Sequence, residues 1–190
     1  MKLYGSSTSP YVRRIRIVLA SIEHEFLNLN IFSGNDRTFL ASRNPSMKVP
    51  CLEDGSEIIL DSRIIYKYLA EKYKYDLLSW EAENQLTLID AVNDSLVQLL
   101  LLKRSDFDIE QEKFYFNLQS ERIESVFSIL SKQIKEGKFK GWHYPEICLY
   151  SLIDWVLFRE LHDMQHYPEL LWFHEKHQNK IEVTATDPRA

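Results

Sequence analysis

Ser9 stands directly before Pro10 and the stretch Tyr11-Val12-Arg13-Arg14-Ile15-Arg16-Ile17-Val18. A serine followed by a proline is an ordinary helix start: the hydroxyl accepts from an orphan N–H, and proline is preset for the first helical position. The same hydroxyl also sits beside the positive end of a helix, where a thiolate or another anion is stabilised. Asp61-Ser62 repeats the arrangement ahead of Ile64, Ile65, Tyr68 and Leu69. There a hydroxyl and a backbone N–H can hold a carboxylate, while Asp61 can face an ammonium group. Lys48-Val49-Pro50 lies between the two. Each start taken singly is a cap. Two on one small sheet, with a lysine loop between them, point to a site.

The other chemistry-bearing residues have plainer readings. Ser151-Leu152-Ile153-Asp154 fits the capping-box pattern, with Tyr150 and Trp155 as a hydrophobic staple, and marks where a buried helix begins. His162 and His166 lack the glutamate of a zinc-binding HExxH helix, and His174 and His177 lack a third ligand, so no metal site is expected. Cys51 and Cys148 sit in apolar segments and read as packing residues. Arg13, Arg14 and Arg16 are too few for a nucleic-acid patch and read as a helix surface. No GxGxxG, Walker or GxSxG motif is present.

Composition sets the frame for these residues. The chain has 190 residues, of which 45% are hydrophobic and 13% aromatic, enough to bury a core. A net charge of −5 argues against a nucleic-acid partner. Two cysteines are too few for a disulfide framework, so a reducing, cytoplasmic setting is expected. No apolar run approaches the ~20 residues of a bilayer span, and residues 1–5 read as a strand rather than a signal peptide. No membrane association is expected.

The elements follow from periodicity. Residues 1–4 form a strand, 10–22 a helix and 26–31 a second strand. Residues 32–48 are irregular. Asp54-Gly55 between two apolar runs is a hairpin signal, and a helix runs from Ser62 to about Tyr73. The order predicts an α/β domain with a mixed four-stranded sheet over 1–75 and a linker over 76–83. An all-helical domain over 84–190 follows, with helices at 81–103, 110–136, 151–161 and 167–177.

Four segments in this order resemble the cytosolic glutathione transferases: Ser9-Pro10-Tyr11-Val12, Asn44-Pro45-Ser46-Met47-Lys48-Val49-Pro50, Asp61-Ser62-Arg63-Ile64-Ile65 and Ser151-Leu152-Ile153-Asp154. The first is similar to a glutaredoxin CPYC with both cysteines replaced, as in serine-type transferases. Phe158-Arg159-Glu160 and His166-Tyr167-Pro168-Glu169-Leu170 are similar to bacterial members. The resemblance implies a thioredoxin-like N-terminal domain, a helical C-terminal domain and a homodimer. It implies that Ser9 contacts the sulfur of glutathione and that Val49, before a cis Pro50, pairs its backbone with the cysteinyl unit. Lys48 would face the glycyl carboxylate, and Asp61 and Ser62 the γ-glutamyl end. Asp61 stands where glutamate is commoner. The expected activity is transfer of the glutathione thiolate to a small hydrophobic electrophile lying between the domains. Glutathione acts as co-substrate, with no resident cofactor. The alternative is a non-catalytic member of the fold acting through protein partners, similar to stringent starvation protein A.

Overall fold

Alternation at the start of the chain yields β1 (Lys2–Gly5) in the computed structural model, which describes residues 1–190. Leu3 and Tyr4 are buried. At Gly5 a Cβ would stand 2.5 and 2.7 Å from the methyls of Val12, so a glycine is what lets the next helix lie against the strand end. Gly5→Ala is therefore expected to cost about 1–3 kcal/mol through overpacking. Urea unfolding measures this directly, and an unchanged midpoint would show that Val12 can step aside.

That helix is α1 (Pro10–Val18), with Ser9 as its N-cap and Pro10 in the first turn. It stops at Val18 rather than at residue 22. Ala20 N–H donates to Ile17 O at 3.2 Å and Ile22 N–H to Leu19 O at 2.9 Å, tightening the end into turns that feed the next strand. That strand, β2 (Glu25–Asn28), is shorter than the apolar run suggested.

The stretch 32–48 is not irregular throughout: it contains α2 (Gly34–Arg43). Only Leu40 of this helix is buried, so it shows no apolar stripe from which periodicity could be read. β3 (Cys51–Asp54) and β4 (Glu57–Leu60) then form the expected hairpin, with Gly55 at φ +63° in the turn. The tip is tied to α3 (Ser62–Tyr73). Tyr68 OH donates to Asp54 Oδ2 at 2.7 Å, and Lys72 forms an ion pair with the same oxygen. Together they hold the Asp54 carboxyl below its ordinary range. The sheet order is β2-β1-β3-β4, with β1 parallel to β2 and antiparallel to β3. This is the mixed four-stranded sheet that was expected.

The chain divides into two compact units, Met1–Leu77 with Gln178–Ala190, and Leu78–His177. The second is all helical: α4 (Trp80–Lys103), α5 (Phe114–Lys135), α6 (Tyr144–Arg159) and α7 (Pro168–His177). By length and composition α4 is apolar enough to cross a bilayer, contrary to the reading of the sequence. In the fold it packs against α5 and α6, with Gln85, Asn93 and Ser95 on its buried face.

α6 begins at Tyr144, not at 151. Its cap is His143, whose backbone N–H donates to Glu146 Oε2 at 3.1 Å, while Gly141 N–H donates to Glu146 Oε1 at 3.2 Å. The capping box assigned to Ser151 and Asp154 is therefore corrected. Ser151 Oγ donates to Ile147 O at 2.8 Å inside the helix, and Asp154 Oδ1 lies 2.8 Å from His174 Nε2 of α7. Every residue from Tyr144 to Val156 is buried, which leaves no amphipathic stripe to mark the start.

A second correction concerns the last residues. They were placed in the helical half, but the chain leaves α7 and joins the first unit through the short α8 (Ile181–Thr184). The physical reason is a pair of arginine bonds. Arg13 Nη2 donates to Val183 O at 3.2 Å, and Arg16 Nη2 to Ala185 O at 3.4 Å.

Candidate functional site

The strand register gathers the candidate residues. Cys51, the first residue of β3, pairs with Tyr4 near the end of β1 and with Leu60, the last residue of β4. Gly5 pairs with Asn28, the last residue of β2. The ends of β1, β2 and β4 and the start of β3 thus lie at one end of the sheet. Ser9 follows β1, Lys48-Val49-Pro50 precedes β3, and Asp61-Ser62 follows β4. Residues up to 53 positions apart therefore share one sheet end.

Ser9 has extended backbone angles, φ −86° and ψ 128°, as an N-cap requires. Its Oγ accepts from Val12 N–H at 3.4 Å, longer than an ordinary N–H···O bond. The hydroxyl accepts there, so its own proton is left to be donated elsewhere.

The loop before β3 is braced by a residue that sequence reasoning passed over. Asn44 is buried, and its Nδ2 donates to Lys48 O at 2.7 Å. Its Oδ1 accepts from Ser46 N–H at 3.0 Å and Ser46 Oγ at 2.7 Å. An Asn-Pro pair is a general turn signal, but nothing local in the sequence marks Asn44 as a brace. Lys48 is exposed, and the Val49–Pro50 peptide bond is cis, as the resemblance implies.

Asp61 caps α3, its Oδ1 accepting from Arg63 N–H at 2.8 Å. It does so at φ 71° and ψ 137°, a region costly for any residue with a Cβ, by about 1–3 kcal/mol. Strain of this kind is held where the surroundings need a particular backbone direction, and ligand sites are its usual home. Ser62 is only 2% exposed in the first turn of α3.

Both α1 and α3 begin at this sheet end, and each contributes a positive partial charge of about half a unit. With Lys48 the set favours negative groups: a thiolate beside Ser9 and carboxylates beside Ser62 and Lys48. Asp61 supplies the one negative charge of the set, suited to an ammonium.

Cys51 lies at the same sheet end and takes no part in this chemistry. Burial, then the Glu53 carboxylate, pushes its thiol up to about 11, with Arg43 opposing. At about pH 8 it should remain a thiol and resist iodoacetamide until the protein unfolds. Labelling of the native chain at the rate of a free cysteine would contradict this. The histidines go to structural contacts: His162 to Glu124, His166 to Asp163 and His174 to Asp154, while His177 stacks on Trp142. No group of three or more His, Cys, Asp or Glu side chains is arranged to hold a metal ion.

Residues 3–77 match the family model for the glutathione S-transferase N-terminal domain. Over 94 residues the chain is 35% identical to glutathione S-transferase 4 of Zea mays, a match covering 47% of this chain and 42% of that protein. The match thus spans less than half of the maize protein's length. A longer match, 164 residues at 29% identity, joins it to the probable glutathione S-transferase GSTF2 of Oryza sativa subsp. japonica, covering 78% of this chain and 75% of that protein. Among solved structures, a Methylobacillus flagellatus glutathione S-transferase with glutathione bound is similar at a TM-score of 0.85, covering 98% of each chain at 21% identity. A Pseudomonas fluorescens glutathione transferase family member, also with bound glutathione, is similar at a TM-score of 0.80 and 20% identity. At these identities the structural likeness establishes the fold.

Proposed function

We propose that this chain is a glutathione S-transferase of the bacterial serine type, acting as a cytoplasmic homodimer in detoxification. The observation that carries the reading is the convergence of Ser9, Lys48-Val49-Pro50 and Asp61-Ser62 on one end of the sheet. These groups match the charges of glutathione. Asp61 faces the γ-glutamyl ammonium, Ser62 the γ-glutamyl carboxylate, and Lys48 the glycyl carboxylate. The backbone of Val49 pairs with the cysteinyl unit, leaving the sulfur beside Ser9.

The chemistry is then a proton loss followed by a substitution. The glutathione thiol releases its proton to water, and the thiolate accepts a hydrogen bond from Ser9. The sulfur lone pair attacks a small hydrophobic electrophile, forming a carbon–sulfur bond as the leaving group departs with its electron pair. Glutathione is consumed as a co-substrate, and no resident cofactor or metal takes part.

The test is retention on immobilised glutathione with elution by free glutathione, followed by conjugation of chlorodinitrobenzene. Retention with turnover supports the reading. Retention without turnover on a panel of electrophiles favours the partner-binding alternative, and absence of both overturns the glutathione site. Light scattering should give about twice the 22.6 kDa of one chain.

A further inference from the structure

The helix that carries Ser9 is not held by the sheet alone. α1 has nine residues, short of the ~12–15 at which an isolated helix is even marginal in water, so its placement comes from packing. Val12 and Ile15 supply an apolar contact. Two arginines on the same helix are also buried, Arg13 at 3% and Arg14 at 0% exposure. A guanidinium is taken out of water only where fixed acceptors receive it.

For Arg13 one acceptor is Val183 O, at 3.2 Å and buried, 170 residues along the chain. Arg16 adds a bond to Ala185 O at 3.4 Å, while its guanidinium lies over the Phe26 ring of β2 at 4.4 Å. Val183 O lies in the last turn of α8, where it also accepts from Thr186 N–H and Thr186 Oγ1, each at 3.2 Å, and Ala185 is the C-cap of that helix. Val183 and Thr186 are buried in turn, and Thr186 Oγ1 donates to Glu182 O at 2.8 Å, keeping the turn closed. On the other side, Arg13 N–H donates to Ser9 O at 3.0 Å. One residue thus bonds both to Ser9, through its backbone, and to the returning segment, through its side chain.

We propose that residues 178–190 form a latch on α1, and that Arg13 is a positioning residue that fixes the first turn of α1 and with it the Ser9 hydroxyl. This rests on the transferase reading above. Lys48 and Val49 precede β3, and Asp61 and Ser62 open α3, on elements other than α1, so in the proposed site they hold the ends of glutathione whether or not the latch is closed. Opening the latch should therefore lower kcat, and raise the pH at which the thiolate forms, while leaving the KM for glutathione nearly unchanged.

Three variants test this: Arg13→Ala, Arg13→Lys and deletion of residues 181–190. In Arg13→Ala and in the deletion, kcat should fall on the order of tenfold, the scale set by small misplacements of a reacting group. The apparent pKa of the pH–rate profile should rise with it. Arg13→Lys keeps a donor for Val183 O and should recover part of the loss. Native-state hydrogen exchange gives a readout independent of turnover: the backbone amide at position 13 should exchange faster in the first and third variants, while those of Leu3 and Leu52 stay unchanged. Unchanged exchange in α1 overturns the latch. Faster exchange with an unaltered kcat and pH profile overturns the positioning role. If the wild-type chain neither binds nor conjugates glutathione, it is the transferase reading that fails, and the exchange data still decide the latch. Should the deletion fail to fold, Arg13→Ala against Arg13→Lys decides alone.

Discussion

Replacing Ser9 by alanine is expected to lower conjugation about tenfold or more near pH 7, with little change in glutathione affinity. A free thiol titrates near ~8.5, so only a few per cent is thiolate at that pH. A hydrogen bond from a hydroxyl to a charged sulfur is worth ~1.5–3 kcal/mol, or about one to two pKa units. The start of α1 acts in the same direction by ~0.3–1 kcal/mol, and the substitution leaves that contribution in place. In the proposed site affinity is spared, because Lys48, Val49, Asp61 and Ser62 would hold the rest of the peptide. If Ser9 is only a cap, the outcome differs: a loss of about 1 kcal/mol in stability and no effect on the thiol. The 3.4 Å bond to Val12 N–H places even that loss at the low end. The pH dependence of conjugation separates the two cases. A mutant that keeps the wild-type apparent pKa and turnover leaves Ser9 as a helix cap.

The largest effect on stability is expected at Asp154. Its side chain is 4% exposed, that of His174 is 14% exposed, and their polar atoms are 2.8 Å apart. The His174 ring also stacks on Tyr150 with centroids 4.9 Å apart. Removing one member of such a buried pair strands the other, a loss of about 3–5 kcal/mol. Asp154→Ala should lose that much in urea unfolding. Asp154→Asn, which can still bond to the imidazole, should lose less. Ser151→Ala removes one bond inside the helix and should cost only about 1 kcal/mol. Equal, small losses at Ser151 and Asp154 would show that the contact with His174 adds no more than an ordinary hydrogen bond.

The contrast between these residues shows what could be read from the sequence. The strands and the hairpin were legible because alternation and Asp54-Gly55 are local signals. The starts of α1 and α3 were legible from Ser9-Pro10 and Asp61-Ser62 for the same reason. α2 was hidden, since one buried leucine cannot make a stripe. The start of α6 was hidden for the opposite reason, because a helix buried all round has no polar face to break the pattern. Asp154 then drew a capping role from a spacing that chance supplies inside any helix. The clustering of site residues depends on β3 running antiparallel to β1, which puts the start of one strand beside the end of another. Pairing across distant strands is not written in local spacing. Arg13 read as a surface residue because its acceptor Val183 O lies 170 positions away.

The return of residues 178–190 also has a consequence for the order in which the molecule is made. The four strands and first three helices of the first unit are synthesised by residue 73, well before α8 exists. The intervening 78–177 amount to about 100 residues, so at ~5–20 residues per second the wait lasts ~5–20 s. During that interval the nascent unit has its sheet and its candidate-site loops but lacks Val183 O as an acceptor for Arg13. A ribosome-stalled chain ending before residue 178 should thus hold a folded sheet around a loosely seated first helix, and the unit closes only when synthesis reaches its last stretch.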